Sequence, residues 1–299
     1  DMKSLGENQW MPAVFPTVKG RLIASVRVIH RPDGYLIDTE ASTRERVQQT
    51  VARFTLAGDF RVADLTAGIA QLSLQGARAG ETVRGVFGEA AANLAPFAVA
   101  VVPWLDNQVT VIRATHTAAE GFDLFVEASA AVALWEELTT AGARPAGFEA
   151  LEILRIEAGQ PRYGVDMDET NVVTETNLDE AISYTKGCYI GQEIVARIKY
   201  RGHVAKKLTG LLFERPVNVP SGATVSSLDD KDIGRITSPT LSPHLGRTVA
   251  LGYLKYDYLP AGTTVKVVSG DNTFTAEVAE LPFVRSSWYT SQTEGTALS

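Results

Sequence analysis

Lys186-Gly187-Cys188-Tyr189-Ile190-Gly191-Gln192-Glu193 stands between two kinds of sequence. Its glycines flank the only cysteine of the chain. Glycine allows close backbone approach or a positive φ. Residues 191–197 read as a short helix, and the amides at its start can meet an anion. Lys186 beside Cys188 can favour the thiolate. A tight turn around a buried cysteine fits the same residues, because free cysteine is often buried. The glycine spacing is not G-x-x-x-x-G-K-[ST], so a nucleotide phosphate loop is unsupported.

Downstream, from Lys207, short apolar runs recur at residues 208–213, 233–237, 249–253, 263–268 and 274–278. Gly, Pro, Ser and Asp separate them, which predicts a small antiparallel barrel or sandwich. A polar tail after Tyr289 is expected to be loose. Upstream, helices and strands mix. Residues 22–29 and 35–38 read as paired strands across Arg31-Pro32-Asp33-Gly34, where proline presets φ and glycine takes a positive value. Ser42 and Glu45 have capping-box spacing, ahead of a helix carrying Val47, Val51 and Phe54 on one face. Residues 59–76 are expected to hold further strands, through Val62, Leu65, Ile69, Leu72 and Leu74. Helices are predicted over residues 131–141, ended by Gly142, and over residues 148–157, stopped by Gly159 and Pro161. Asn177 with Glu180 is a second capping signal. Mixed elements followed by an all-β end give an α+β class with a separate β domain.

Composition narrows the function. The 299 residues carry 28 basic and 35 acidic side chains, a formal charge of -7, which makes a poor non-specific binder of nucleic acid. One cysteine permits no internal disulfide, as suits a reducing compartment, and cannot supply an all-cysteine cluster site. His30, His116, His203 and His244 lie far apart and match no structural zinc spacing. No apolar run has the length of a membrane span, since residues 98–105 are short and contain Pro103. No signal-peptide pattern opens the chain. Asp1-Met2-Lys3 reads as the start of a fragment or a processed chain.

Four clusters are candidates for chemistry. Arg197, Lys199, Arg201, His203, Lys206 and Lys207 form the densest basic stretch. They suit polyglutamate, phosphate or a short stretch of RNA, or a solvated face. In Arg155-Ile156-Glu157-Ala158-Gly159 the carboxylate can accept two parallel hydrogen bonds from an amidine-like ring edge such as that of a pterin. An internal Arg–Glu pair at a helix end is the competing reading. Asp166, Asp168, Glu169 and Glu175 contain enough carboxylates for acid–base work, but a solvated loop is favoured. Trp10, Trp104, Trp135 and Trp288 read as core or interface.

The run from Lys186, continued by Ile194-Val195-Ala196-Arg197, resembles the signature of the YgfZ family and its mitochondrial iron–sulfur assembly counterpart. Arg155-Ile156-Glu157-Ala158-Gly159 and Tyr163-Gly164-Val165-Asp166 resemble a segment shared with the glycine cleavage T-protein. Gly234-Arg235-Ile236-Thr237-Ser238, Ser242-Pro243, Ala250-Leu251-Gly252-Tyr253 and Leu281-Pro282-Phe283 resemble the T-protein C-terminal barrel. The resemblance implies an aminomethyltransferase-type ring of three domains around a channel that holds tetrahydrofolate, with or without a polyglutamate tail. It implies a cytoplasmic accessory role in iron–sulfur cluster assembly or repair, with iron–sulfur client or carrier proteins as partners. That role supports tRNA thiomethylation indirectly, with no direct tRNA binding, no membrane and no metal site. Carried over, Lys186 and Cys188 are the functional motif, and Glu157, Arg155, Tyr163 and Arg197 are folate contacts. The implied domains are residues 1–57, the remainder of a first folate-binding domain truncated at its N-terminus, and 58–147, a middle α/β domain. Residues 148–207 hold the folate-binding segment with the cysteine motif, 208–287 the β-barrel, and 288–299 a flexible tail.

One departure separates the branches. The T-protein carries an acidic pair after the glycine that precedes its second strand, and an Asp there is catalytic. Here Gly20-Arg21-Leu22-Ile23 is followed by Ala24 and Ser25, which argues against a classical aminomethyltransferase. Lys19-Gly20-Arg21 is the form expected of the YgfZ branch. The alternative, a folate-dependent aminomethyltransferase or methyltransferase, needs another carboxylate, with Asp38 and Asp166 as candidates.

Overall fold

The computed structural model describes residues 1–54 and 61–285, and these divide into two compact units. The first unit takes in Asp1–Ala13 and Ser25–Gly147, and the second takes in Val14–Ala24 and Phe148–Arg285. Strands β1 (Gln9–Pro16), β2 (Leu22–Arg31) and β3 (Gly34–Thr39) form a sheet in that order. Along β2 the side chains of Leu22, Ala24, Val26 and Val28 are buried in alternation, the period of a half-buried strand. Gly34 takes the positive φ foreseen for the turn, at 134°, and Arg31 clamps Asp33 at 2.8 Å.

Helix α1 (Arg44–Phe54) starts later than the Ser42 signal predicts. Thr43 is buried, its hydroxyl shares a hydrogen bond with Thr39 at 2.7 Å, and its carbonyl accepts from Val47. The helix therefore springs from Thr43, and of its expected apolar face only Val47 is buried, with Phe54 exposed. Of residues 59–76, Asp59 and Phe60 lie outside the described residues, and only β4 (Ile69–Gln75) is a strand. Val62 and Leu65 are exposed, and Asp64 draws the intervening chain into a turn by accepting from the Thr66 amide at 3.0 Å while pairing with Arg44.

Then follow α2 (Ala79–Phe87), α3 (Glu89–Ala92), β5 (Val99–Trp104), β6 (Asn107–Arg113), β7 (Gly121–Glu127) and α4 (Ala131–Thr140). The four strands pair antiparallel in the order β4-β7-β6-β5. Pro103 falls on β5, at the edge of the sheet, where a missing N–H is tolerated. Val83, Trp104, Phe122, Leu124 and Leu134 are among the residues of the core beneath the helices. Gly142 ends α4 with a φ of 103°.

The second unit holds α5 (Phe148–Glu157), α6 (Gln192–Arg201) and a closed six-stranded barrel. The barrel strands are β8 (Lys206–Phe213), β9 (Thr224–Ser226), β10 (Asp232–Ser242), β11 (Arg247–Lys255), β12 (Thr264–Ser269) and β13 (Asn272–Ala279). They close in the order β10-β11-β8-β13-β12-β9, which leaves no free edge. The α+β class with a C-terminal barrel is thus observed, and β9 is the strand that the apolar runs did not announce. A side chain at Gly234 would collide with the carbonyl of Tyr253, so a glycine is required where β10 crosses β11. The Asn177 capping signal marks a different feature. Asn177 has a φ of 59° and its side-chain amide donates to Leu208 at 2.8 Å, while a single 3₁₀ turn follows.

Candidate functional site

Two polar clusters stand out, one in each unit. In the second unit the last turn of α5 carries Arg155 and Glu157, both buried. They do not pair with each other. Arg155 pairs with Glu152 at 2.8 Å and with Asp166 at 2.7 Å, and donates to the Ser238 hydroxyl at 2.8 Å and the Gln160 carbonyl at 3.0 Å. Burial works against its charge, but Glu152 and Asp166 outweigh that and hold the guanidinium above its ordinary pKa. Asp166 also accepts from the hydroxyls of Thr237 at 2.5 Å and Ser238 at 2.7 Å and from the Arg162 amide at 3.0 Å. The ion pair foreseen inside this segment therefore exists with other partners. It ties α5 and the following loop to β10.

Glu157 faces the barrel separately. Its Oε1 accepts from the Ser242 hydroxyl and from the His244 amide at 3.4 Å, and its carbonyl accepts from Phe283 at 2.9 Å and Val284 at 3.1 Å. The acidic residues of the loop are not the solvated group expected. Asp166 and Glu175 are buried: Asp166 within the hydrogen bonds of Arg155, Thr237 and Ser238, and Glu175 where it accepts from the Val172 amide at 3.2 Å. Burial raises the Asp168 carboxyl, but hydrogen bonds from Thr170 and the charges of Arg235 and Lys206 bring it below its ordinary pKa. Tyr163 is a core residue beside Leu22, Met167, Val173 and Val195, with its hydroxyl 3.4 Å from Glu169. Tyr253 is fully buried and its hydroxyl has no hydrogen-bond partner among the described residues. Burial, reinforced by Glu175, Asp166 and Asp168, pushes that phenol well above its usual range.

The cysteine motif forms the loop leading into α6. Gly191 caps the helix with a φ of 81°, and a Cβ there would strike the Thr17 carbonyl, so this glycine is obligatory. Gln192 and Tyr189 bond reciprocally, each backbone amide donating to the other residue at 3.2 Å. Lys186 lays its ammonium over the Tyr189 ring at 5.2 Å. Cys188 is exposed, so the buried-cysteine alternative is corrected: the reciprocal Tyr189–Gln192 bonds fix the turn without covering the thiol. Arg197 is exposed on α6. Further along the basic stretch, Lys199 covers the Tyr184 ring at 5.2 Å, His203 stacks on Tyr256 at 3.9 Å, and Lys207 meets Asp179 at 3.5 Å. Thus the structure joins Arg155 to Asp166. Glu157, Tyr163, the Lys186–Cys188 loop and Arg197 stand apart from that pair.

The first unit holds the cluster that the sequence did not single out. Asp123, on β7, is wholly buried, and its Oδ2 accepts from Arg27 on β2, from His116 Nε2 at 2.8 Å and from Gln71 at 3.1 Å. Arg27 also donates to Asp38 on β3 at 2.5 and 2.8 Å, so the carboxylate considered at Asp38 is already paired. Burial pushes the Asp123 carboxyl up, but His116 and Arg27 outweigh it and hold the group well below the usual carboxylate range. The signal was present as a lone acid within the apolar run Gly121-Phe122-Asp123-Leu124-Phe125-Val126. Among the described residues no group of three or more His, Cys, Asp and Glu gathers as a metal site. No described helix is long and apolar enough to cross a membrane.

Comparison with known proteins covers both units. Residues 1–186 match the GCVT N-terminal domain, and residues 206–285 match the glycine cleavage T-protein C-terminal barrel domain. An aminomethyltransferase of Rubrobacter xylanophilus is 30% identical over 95% of this chain and 76% of its own length. One of Bordetella avium is 31% identical over 85% of this chain and 68% of its own. The crystal structure of glycine cleavage system aminomethyltransferase T from Bartonella henselae superposes with a TM-score of 0.85 at 20% identity, covering 94% of this chain and 77% of that one. These findings correct the iron–sulfur accessory role expected from the cysteine motif. Similarity to proteins named aminomethyltransferase extends over nearly the whole scaffold, whereas the YgfZ-type expectation rested on the cysteine loop, on Lys19-Gly20-Arg21 and on Ala24 and Ser25.

Proposed function

The chain belongs to the glycine cleavage T-protein family, and from that premise we propose that it transfers a one-carbon group to tetrahydrofolate, as an aminomethyltransferase or methyltransferase. The observation that carries this reading is the 30% identity to an aminomethyltransferase over 95% of the chain, spanning both units. Tetrahydrofolate is the acceptor, and Glu157 is the proposed contact for its pterin edge. Ser242 and His244 occupy Oε1 of Glu157 and fix the carboxyl plane, while Oε2 keeps acceptor capacity for a ring donor. Arg155 and Tyr163 act by holding the Glu157 segment in place, since their own polar groups are engaged within the protein. Arg197, exposed on α6, is proposed to meet a polyglutamate tail.

Ala24 is buried and Ser25 is half-buried, and neither side chain exchanges a proton near neutral pH. The proton that moves during transfer therefore needs another carrier. Titration of the full chain with tetrahydrofolate tests the ligand. Saturable binding that weakens about tenfold or more in Glu157→Ala is expected, one hydrogen bond to a charged group being worth about 1.5–3 kcal/mol. No binding by the intact chain overturns the reading.

A further inference from the structure

We infer that the outer face of α6 reads the length of a γ-glutamyl tail, so that polyglutamylated tetrahydrofolate is the preferred ligand, an inference that rests on the tetrahydrofolate reading above. The helix turns Val195 inward, into a core with Leu22, Tyr163, Met167 and Val173. Arg197, Tyr200 and Arg201 are exposed. Arg197 and Arg201 stand four residues apart, so their side chains are neighbours on one face. Among the described residues no carboxylate pairs with either guanidinium. Glu157, the proposed pterin contact, and α6 belong to the same compact unit.

The flank of this face is ordered as well. Lys199 holds its ammonium 5.2 Å from the centre of the Tyr184 ring, and Tyr200 meets the same ring edge-on at 6.2 Å. Side chains already held in place lose less freedom when a ligand arrives. The helix dipole accounts for cations in the last turn, where Lys199 and Arg201 lie, but Arg197 comes before that turn.

Spacing and charge set the ligand class. A guanidinium fork suits a carboxylate, which it can grip with two parallel hydrogen bonds. A γ-linked glutamate chain carries one free carboxylate per unit. Each unit advances about 6 Å, the ~3.5 Å of an α-linked residue lengthened by two methylenes. Four residues of helix rise about 6 Å as well. Carboxylates of such a tail can therefore reach Arg197 and Arg201 together, by rotation about the methylenes. A long polyanion such as a nucleic acid would instead meet the chain's formal charge of -7, whereas a short tail stays within reach of the local cations.

The test measures equilibrium binding by the full chain of two probes, tetrahydrofolate carrying one glutamate and tetrahydrofolate carrying five. The longer form is expected to bind roughly tenfold tighter, since exposed ion pairs are individually weak and several act together. The ratio of the two affinities should shrink as salt rises. It should fall toward one in the double variant Arg197→Ala with Arg201→Ala, while Arg197→Lys with Arg201→Lys keeps the charges and should keep most of the ratio. A ratio near one in the wild type overturns the tail-reading role and leaves the tetrahydrofolate reading standing. A tenfold ratio that survives in the double alanine variant overturns the assignment to α6. Absence of binding by either form overturns the tetrahydrofolate reading and this inference with it.

Discussion

The Arg155–Asp166 cluster and the Arg27–Asp123 cluster are built from the same parts. Each sets a buried aspartate against an arginine and adds neutral donors around the carboxylate. They differ in how they end. Around Arg155 the contacts end at Glu152, a partly open carboxylate, while Asp166 and Ser238 are buried and the Gln160 carbonyl accepts from the guanidinium. Around Asp123 the chain of contacts runs outward to a half-open histidine. The Arg155 network ties α5 and the loop after it to β10, whereas the Asp123 network links strands of two different sheets. Both clusters are read as scaffold, each within its own unit.

The largest effect is expected from breaking the Arg155–Asp166 network. Asp166→Ala leaves Arg155 without one counter-charge and the Ser238 hydroxyl without its acceptor, while Thr237 keeps the Leu251 carbonyl, and losing one partner of a buried pair costs about 3–5 kcal/mol. Denaturant unfolding of the variant reads that loss directly, and a change under about 1 kcal/mol would break the scaffold assignment. Ser242→Ala removes the hydroxyl donor to Glu157, at a cost of about 1.5–3 kcal/mol for a charged partner, and should weaken tetrahydrofolate binding as well. The smallest effect belongs to Cys188→Ser. The thiol is exposed, so stability should stay within about 0.5 kcal/mol and turnover should be unchanged. A large loss of turnover in that variant would give the cysteine loop a part in the chemistry.

Acid sharpens the same contrast. Asp123 is held below its ordinary pKa, so the stability it contributes is full above the unfolded-state value of about 3.9 and is lost as pH falls through the folded one. Asp123→Asn should therefore flatten part of the acid limb of an unfolding curve followed by circular dichroism. A limb of unchanged steepness would remove Asp123 from the account.

The barrel was legible because its strands obey a simple rule, short apolar runs bounded by turn residues. Helix α5 was legible from its bounds to its stop at Gly159. β9 escaped notice because it is three residues long, and two sheet neighbours, β10 and β12, hold it in place. α2 escaped because Gly80 and Gly85 lower its intrinsic helicity, and the helix is held by tertiary packing through Ala79 and Val83. For the site, the motif around Cys188 drew the eye to a contiguous run of residues. Arg27, Asp38, His116 and Asp123 come from separate parts of the chain; strand pairing sets Arg27 opposite Asp38, and side-chain contacts between two sheets and a loop bring in Asp123 and His116. The burial of Asp166 and Glu175 had the same cause, since hydrogen-bond partners on the barrel and in a local cap are invisible to composition.

The central claim is one-carbon transfer to tetrahydrofolate, and the most direct measurement is product formation by the full chain supplied with tetrahydrofolate and an isotopically labelled aminomethyl donor. The account predicts label carried from the donor onto tetrahydrofolate, weakened in Glu157→Ala. Saturable tetrahydrofolate binding with no labelled product would contradict it.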